Sequence, residues 1–216
     1  MRRPREIYSQ KQVYNRLKKQ KLGCVLMAAG NASRFGENKL LADFMGKPLV
    51  EHALSAIPKG AFKRVVVVSQ YPSVLELGET YGFDSILNPD PAAGISRTIT
   101  LGLDAIGEVD AAMFMVADQP CLRQETVLGE LEFYQQARPG HIVAMGYGKR
   151  RGNPAIFPKS FFGELRALSA ENGGSHVICA HEDALLLYQV DQDVELRDID
   201  CKQELEQLKA EVSKPF

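Results

Sequence analysis

The deciding stretch of this chain reads Val25-Leu-Met-Ala-Ala-Gly-Asn-Ala-Ser-Arg-Phe-Gly-Glu-Asn-Lys39. Its apolar beginning predicts a buried strand that runs directly into a loop containing Gly30 and Gly36. Both glycines can adopt positive φ angles, which most residues avoid. Small residues let backbone N–H groups approach phosphate oxygens, and Arg34 and Lys39 supply positive charge. The stretch therefore predicts a loop that binds a triphosphate, with an ordinary β–α turn as the alternative.

Two common phosphate-binding motifs do not match this loop. A P-loop requires Gly-x-x-x-x-Gly-Lys-Ser/Thr, but Gly36 is followed by Glu37 and Asn38. A dinucleotide-binding fingerprint requires Gly-x-Gly-x-x-Gly, and Ala32 stands where its second glycine belongs. We therefore expect neither a P-loop ATPase nor an NAD-dependent enzyme.

Composition and charge indicate one compact domain. The chain has 216 residues, of which 45% are hydrophobic, and a formal net charge of -1. We expect a basic N-terminal extension over residues 1–20, followed by a single domain over 21–216. The near-neutral charge argues against nucleic-acid binding, and no apolar run reaches the roughly 20 residues that span a membrane. Without a signal-peptide pattern or a C-x-x-C pair, the protein is expected in the cytoplasm.

Alternating apolar and amphipathic segments predict an α/β domain. We expect strands at 22–28, 64–69, 85–87, 111–116, 141–145 and 184–190, and helices at 48–57, 74–81, 96–106, 124–137, 159–168 and 201–210. The run Val65-Val-Val-Val68 is typical of a strand buried on both faces. The pattern therefore predicts a three-layer fold with a mostly parallel central sheet. Residues 146–158 interrupt the alternation and are expected to form a loop or hairpin inserted late in the fold.

Three polar segments follow predicted strands, and the carboxyl ends of parallel strands lie at one edge of a sheet. The loop at Gly30 follows the first strand, residues 88–96 follow the third, and Asp118 follows the fourth. Asp118 is expected to bind Mg²⁺, which prefers carboxylate, water and phosphate oxygens, with capping of the next turn as the alternative. Asp198 or Asp200 could supply a second carboxylate, and Asp200 could instead cap the last helix.

These residue types suit nucleotidyl transfer, in which an acceptor attacks the α-phosphate of a nucleoside triphosphate and pyrophosphate leaves. The reaction requires positioned phosphates and neutralised charge rather than covalent chemistry by the protein. We expect Arg34, Lys39 and Asp118 to be the catalytic residues. The sequence suggests no Ser-His-Asp or Cys-His arrangement.

The chain resembles the MobA-like nucleotidyltransferases over residues 22–210, and within them the molybdenum cofactor cytidylyltransferases. The resemblance is carried by Leu26-Met-Ala-Ala-Gly-Asn-Ala-Ser-Arg-Phe-Gly-Glu-Asn-Lys39, Lys39-Leu-Leu-Ala-Asp-Phe-Met-Gly-Lys-Pro-Leu49, Asn88-Pro-Asp-Pro-Ala-Ala-Gly-Ile-Ser96, Ala117-Asp-Gln-Pro120, Gly152-Asn-Pro-Ala-Ile-Phe157 and Asp198-Ile-Asp200. It implies a Rossmann-like nucleotidyltransferase fold. It also implies a reaction in which CTP and a molybdopterin-type acceptor give the cytosine dinucleotide cofactor and pyrophosphate. A molybdoenzyme or its chaperone is a further candidate partner.

The resemblance assigns roles to individual residues. The implied nucleotide-binding residues are Ala28, Ala29, Gly30, Ser33, Arg34, Lys39, Gly94 and Ser96. The implied ligands of Mg²⁺ are Asp118 and Asp200. The implied acceptor-binding residues are Gln119, Arg151, Asn153, Gly173 and His176. In this assignment Gly94 and Ser96 lie near the ribose or base, and residues 151–154 face the pterin.

Two departures from the family pattern bear on the substrates. Guanylyl-transferring relatives usually carry Gly-Gly where this chain has Ala29-Gly30, which favours CTP over GTP. The cytidylyltransferases usually carry a Gly-Asp-x-Gly-Ala-Arg-like segment near residues 171–176, where this chain moves the acid and has His176 in place of the arginine. The acceptor therefore stays open between a pterin, a variant pterin and another small phosphorylated molecule such as a sugar phosphate. A guanylyltransferase and a non-catalytic nucleotide-binding accessory protein for molybdoenzyme maturation are the alternative functions.

Overall fold

A seven-stranded sheet lies at the centre of the computed structural model, which describes residues 20–30, 35 and 38–213. Its strands are β1 (Leu22–Ala28), β4 (Arg64–Ser69), β5 (Asp84–Leu87), β6 (Ala111–Val116), β7 (Ile142–Tyr147), β8 (Arg150–Pro158) and β9 (Leu185–Gln189). The sheet order is β5-β4-β1-β6-β8-β7-β9, and a separate hairpin is formed by β2 (Asp43–Phe44) and β3 (Lys47–Pro48). The mixed α/β architecture with a mostly parallel sheet is as predicted. The predicted basic extension falls on residues 1–19, which lie outside the described residues, and on residue 20.

Strand β8 is the one strand of this described sheet that runs against the others. Strands β1, β4, β5 and β6 pair in parallel, as do β7 and β9, whereas β8 is antiparallel to both β6 and β7. The segment 146–158, which is predicted to be a loop or hairpin, consists mostly of the long strand β8, and β8 forms a hairpin with β7, which begins earlier at Ile142. It is not a peripheral insertion, however, because β8 lies between β6 and β7 in the middle of the sheet.

Helices cover both faces of the sheet. They are α1 (Leu49–Ala56), α2 (Pro72–Thr80), α3 (Ile95–Ile106), α4 (Gln124–Gln136), α5 (Phe162–Ala167), α6 (Gly174–Ala180) and α7 (Lys202–Val212). One buried apolar cluster joins β-strand side chains to α1, α2 and α4, and a second joins the opposite side chains to α3, α5 and α6. The two clusters make the three predicted layers, because alternate residues of a strand point to opposite faces. Within the described residues, no helix is long and apolar enough to cross a membrane.

Close packing of α3 on β1 and a third apolar cluster fix the segments around the carboxyl end of β1. A Cβ at Gly102 would lie 2.4 Å from a methyl group of Val25, so glycine lets α3 pack closely on β1. The third cluster joins Phe35, from the loop after β1, to Ile199 and to Leu205 of α7. The C-terminal segment is thereby packed against Phe35, which follows the first strand along the chain.

Candidate active site

A cleft opens where the parallel strands β1 and β6 end. Its volume is about 430 Å³, and its walls are formed by Met27, Ala28, Ala29, Gly30, Lys39, Leu40, Pro91, Gly94, Ile95, Thr98, Val116, Ala117, Asp118 and Glu171. The segments after β1, β5 and β6 meet here, which is the convergence predicted from the sequence. Among the predicted nucleotide-binding residues, Ala28, Ala29, Gly30, Lys39 and Gly94 line this cleft.

Side chains at the end of β4 hold the beginning of the loop in place. The Ser69 hydroxyl donates to the carbonyl of Ala28 at 2.8 Å, and the Gln70 side-chain amide donates to the carbonyl of Ala29 at 2.9 Å. Gly30 does not use the positive φ angles that are open to glycine, because it is not among the glycines in that conformation. A Cβ at Gly30 would meet no heavy atom within 4 Å, so this position leaves open space in the wall of the cleft. The predicted site residues Ser33 and Arg34, and also Gly36, lie outside the described residues.

Lys39 and two aspartates form the charge centre of the cleft. Lys39 Nζ lies 2.8 Å from Asp118 Oδ2 and 3.0 Å from Asp200 Oδ1. Partial burial alone would lower the pKa of Lys39, but the charges and hydrogen bonds of the two carboxylates outweigh it and raise this pKa. The ammonium therefore stays charged at neutral pH. Three residues that are far apart in the sequence are thus brought together as predicted.

The carboxylates suit a hard divalent cation. Asp118 Oδ1 is buried and has no hydrogen-bond partner within the described residues, so one oxygen beside the cleft is left for a ligand. Mg²⁺ typically takes one or two carboxylates and completes its shell with water and substrate phosphates. No group of three or more His, Cys, Asp or Glu side chains in the described part of the chain could hold a metal ion. Asp118 and Asp200 therefore fit a shared protein–substrate metal site rather than a closed protein cage.

The segment that carries Asp200 is attached directly to the end of β6. The backbone N–H of Ile199 donates to the carbonyl of Asp118 at 3.0 Å. Asp200 does not cap α7, because Cys201 is the N-cap residue and Glu204 accepts from the backbone N–H groups of both Asp200 and Cys201. The Asp200 carboxylate is thereby left to contact Lys39.

A third carboxylate, Asp198, stands beside this charge centre. Partial desolvation and the neighbouring charges of Asp118 and Asp200 raise the pKa of Asp198 to about 6, against the opposing effects of a Gln119 hydrogen bond and of Lys39. Gln119 is only 2% exposed, and it lines neither this cleft nor the cavity described below. The structure therefore buries Gln119 against Asp198, to which it hydrogen-bonds, and does not bring this predicted acceptor-binding residue to either cavity. Its burial was not evident from the sequence, because Gln is usually an exposed residue.

The start of α3 forms the opposite wall of the cleft. Gly94 has φ +84°, and a Cβ there would lie 2.3 Å from the carbonyl oxygen of Ala170. The N–H of Ser96 donates to that same carbonyl at 3.2 Å, and Ser96 is only 5% exposed. The structure therefore brings Gly94 to the cleft but not Ser96, whose polar groups are used within the protein. Glu171, next to Ala170, also lines the cleft, although the sequence marks it only as part of the diverged segment at residues 171–176.

A second cavity of about 240 Å³ adjoins the cleft. The two share Met27, Ile95 and Val116 in their walls, and the second is otherwise lined by Ile99, Phe114, Arg151, Gly152, Asn153, Ala155, Phe157, Leu165, Gly173, Gly174, Ser175 and Ile178. The predicted acceptor residues Arg151, Asn153 and Gly173 are therefore brought together around one space. His176 is exposed on α6 and does not line this cavity.

Comparison with protein families identifies a domain family that covers most of the chain. The model of the MobA-like NTP transferase domain matches residues 24–185 of the chain. This range contains both cavities and the Lys39–Asp118 pair, and it ends before Asp200.

Curated relatives match parts of the chain. A probable molybdenum cofactor guanylyltransferase of Pyrococcus horikoshii is 34% identical over 86 residues, which are 38% of this chain and 44% of that protein. A 3-deoxy-manno-octulosonate cytidylyltransferase of Brucella ovis is 27% identical over 112 residues, which are 50% of this chain and 44% of that protein. The alignments thus span less than half of the length of either relative.

Solved structures share the fold over most of the chain. Rv0371c from Mycobacterium tuberculosis H37Rv superimposes with a TM-score of 0.77 at 19% identity, covering 88% of this chain and 98% of that one. A further structure of Rv0371c is a complex with manganese, and it superimposes with a TM-score of 0.71 at 19% identity over the same shares of the two chains. The fold predicted from the sequence is therefore confirmed.

Proposed function

Because the chain belongs to the MobA-like NTP transferase family, we propose that it transfers a cytidylyl group from CTP to a molybdopterin-type acceptor and releases pyrophosphate. The observation that carries this proposal is the meeting of Lys39, Asp118 and Asp200 at the end of β6. We propose a cytoplasmic enzyme that uses Mg²⁺, with a molybdoenzyme or its chaperone as the recipient of the product.

The residues of the cleft have distinct proposed roles. Ala29 and Gly30 leave the backbone open to the triphosphate, and Lys39 neutralises phosphate charge together with Arg34. Asp118 and Asp200 hold Mg²⁺, which when bound would supply the positive charge that stabilises the leaving pyrophosphate. The protein thus positions the reacting groups and neutralises their charge, which are the main requirements of phosphoryl transfer.

The second cavity is the proposed acceptor site. Its wall is largely apolar, with Phe157 and Ile95 among its members, and Arg151 stands among its polar groups. A planar ring suits the apolar wall, and an arginine can bind an acceptor phosphate through two parallel hydrogen bonds. Because the cavity adjoins the cleft, an acceptor there is next to the nucleotide.

Guanylyl transfer is the second candidate. It is favoured by the 34% identity to a probable guanylyltransferase, whereas Ala29-Gly30 and the cytidylyltransferase relative support CTP. Base choice is decided by the whole pocket and not by one residue, so direct measurement has to separate the two.

Pyrophosphate release tests the proposal. The purified protein is given Mg²⁺, molybdopterin and one of CTP, GTP, ATP or UTP, with sugar phosphates as alternative acceptors. We expect release with CTP and molybdopterin and much slower release with GTP. Faster release with GTP would establish the second candidate, and release only with a sugar phosphate would replace the acceptor. Tight nucleotide binding without any release would indicate the non-catalytic accessory protein.

A further inference from the structure

Lys39 is paired with the two carboxylates that are proposed to hold the metal ion. Its ammonium lies 2.8 Å from Asp118 Oδ2 and 3.0 Å from Asp200 Oδ1. An ammonium has three hydrogen-bond donors, and two of them are directed at these oxygens. A cation shared by the same oxygens would meet the positive charge of Lys39 at close range. The lysine and a divalent cation are therefore alternative partners of one pair of carboxylates.

The main chain of Lys39 is fixed, whereas its side chain has room for a second position. Asn38 accepts a hydrogen bond from the N–H of Leu40 at 3.1 Å, and Leu40 is buried, so the turn that carries Lys39 is anchored. Lys39 also borders the cleft together with Ala29 and Gly30. A lysine ammonium on its flexible four-carbon chain can exchange one anionic partner for another. A triphosphate in the cleft offers such a partner.

We propose that Lys39 is an exchangeable counter-cation. It holds Asp118 and Asp200 in the free protein and transfers to the triphosphate when metal and nucleotide enter together. This inference rests on the proposed use of a divalent cation at Asp118 and Asp200. Lys39 then opposes metal binding without nucleotide and supports it with nucleotide. Each of the two ligands accordingly raises the affinity of the protein for the other by the same factor.

Replacing Lys39 separates this exchange from simple phosphate binding. We compare Mn²⁺ binding to the wild type, Lys39→Met and Lys63→Met by electron paramagnetic resonance of free Mn²⁺, with and without CTP. Lys63 is an exposed lysine that donates to the carbonyl of Glu108 and does not border the cleft. Without CTP, we expect Lys39→Met to bind Mn²⁺ about tenfold more tightly than the wild type, within the usual range of coupling between sites. With CTP, we expect Lys39→Met to bind Mn²⁺ more weakly than the wild type.

Chemical labelling of the wild type tests the same exchange without a variant. The rate of acetylation of Lys39 is measured by peptide mass spectrometry in buffer, in Mn²⁺, and in Mn²⁺ with CTP. We expect Mn²⁺ alone to increase labelling of Lys39, since its carboxylate partners are then taken, and CTP to reduce it again. Labelling of Lys63 should stay constant throughout.

The outcomes distinguish the inference from the proposed function. Equal or weaker Mn²⁺ binding by Lys39→Met without CTP, or unchanged labelling of Lys39 in Mn²⁺, overturns the exchange while leaving nucleotidyl transfer intact. Tighter binding by Lys39→Met in a protein that never releases pyrophosphate supports the exchange and removes the proposed activity. Absence of Mn²⁺ binding in every variant overturns both the exchange and the metal site.

Discussion

Asp118→Asn removes one negative charge from the most enclosed carboxylate of the proposed metal site. The side chain of Asp118 is 20% exposed, and that of Asp200 is 55% exposed. Two unit charges about 4 Å apart interact by about 4 kcal/mol at an effective dielectric constant of about 20, and by about 1 kcal/mol in bulk water. The value of about 4 kcal/mol applies to the more enclosed Asp118, and the value of about 1 kcal/mol is closer to the interaction of the more exposed Asp200. At about 1.4 kcal/mol per factor of ten, Asp118→Asn should lower kcat/KM roughly 10³-fold, and Asp200→Asn roughly fivefold.

The assay is pyrophosphate release at several Mg²⁺ concentrations, accompanied by urea unfolding. Asp104→Asn is the control, because Asp104 is an exposed carboxylate paired with Arg166 at 3.1 Å, and such surface pairs contribute at most about 1 kcal/mol to stability. We expect Asp118→Asn to stay folded, since the amide keeps the shape of the carboxylate and Lys39 retains Asp200. Equal losses for the two site variants, or an Asp118→Asn enzyme with more than a tenth of wild-type kcat/KM, would refute the assignment of Asp118 as the principal metal ligand.

Two further predictions concern stability. Gly94→Ala should lower the free energy of unfolding by at least about 2 kcal/mol, because Gly94 has φ +84° and a Cβ there would lie 2.3 Å from the Ala170 carbonyl oxygen. Urea unfolding measures this loss, with Gly163→Ala as the control, because a Cβ at Gly163 meets nothing within 4 Å. Equal losses in the two variants would contradict the prediction. Burial raises the pKa of Glu130 well above its ordinary value, and neither carboxylate oxygen has a hydrogen-bond partner within the described residues. The unfolded chain releases this proton above about pH 4, so the folded state loses stability as the pH rises beyond that value. Glu130→Leu should therefore raise the free energy of unfolding by about 1–3 kcal/mol at pH 7 and by less at pH 4, as urea titrations at the two pH values would show; a gain that does not depend on pH would contradict the role of the charge.

The sequence predicts the parallel half of the sheet well because burial there leaves a simple pattern. β1, β4 and β6 have the predicted bounds, and the four residues Val65–Val68 lie within β4, three of them fully buried. β8 does not follow that pattern. Its first four residues include Arg150 and Arg151 and favour a loop, and only the part from Pro154 onward is continuously buried. The pairing with β6 explains the difference, since it runs from Pro158 only as far as Ala155 and leaves the polar half of β8 beyond the end of β6.

The site is predictable in its location and less so in its contacts. The rule that polar segments converge at the carboxyl ends of parallel strands brings Asp118 and the loop after β1 together, as the structure has them. It does not reveal that Lys39 pairs with both carboxylates, because Lys39 and Asp200 are separated by 161 residues. Nor does it show that Ser96 and Gln119 are buried, since a polar residue within an apolar environment has the same sequence signature as one in a binding site.

The reversed direction of β8 explains why two adjoining cavities lie at one edge of the sheet. A parallel strand beside β6 would deliver the residues that follow it to this edge, whereas antiparallel β8 delivers its own beginning, Arg151 to Asn153, next to the end of β6. The residues after β6 include Asp118, and those at the start of β8 line the second cavity. The proposed nucleotide site and the proposed acceptor site are thus built on neighbouring strands that pair directly through Phe114 and Ala155. A rigid sheet, rather than a mobile loop, then sets the distance between them, which is the condition for a reaction that depends on positioning.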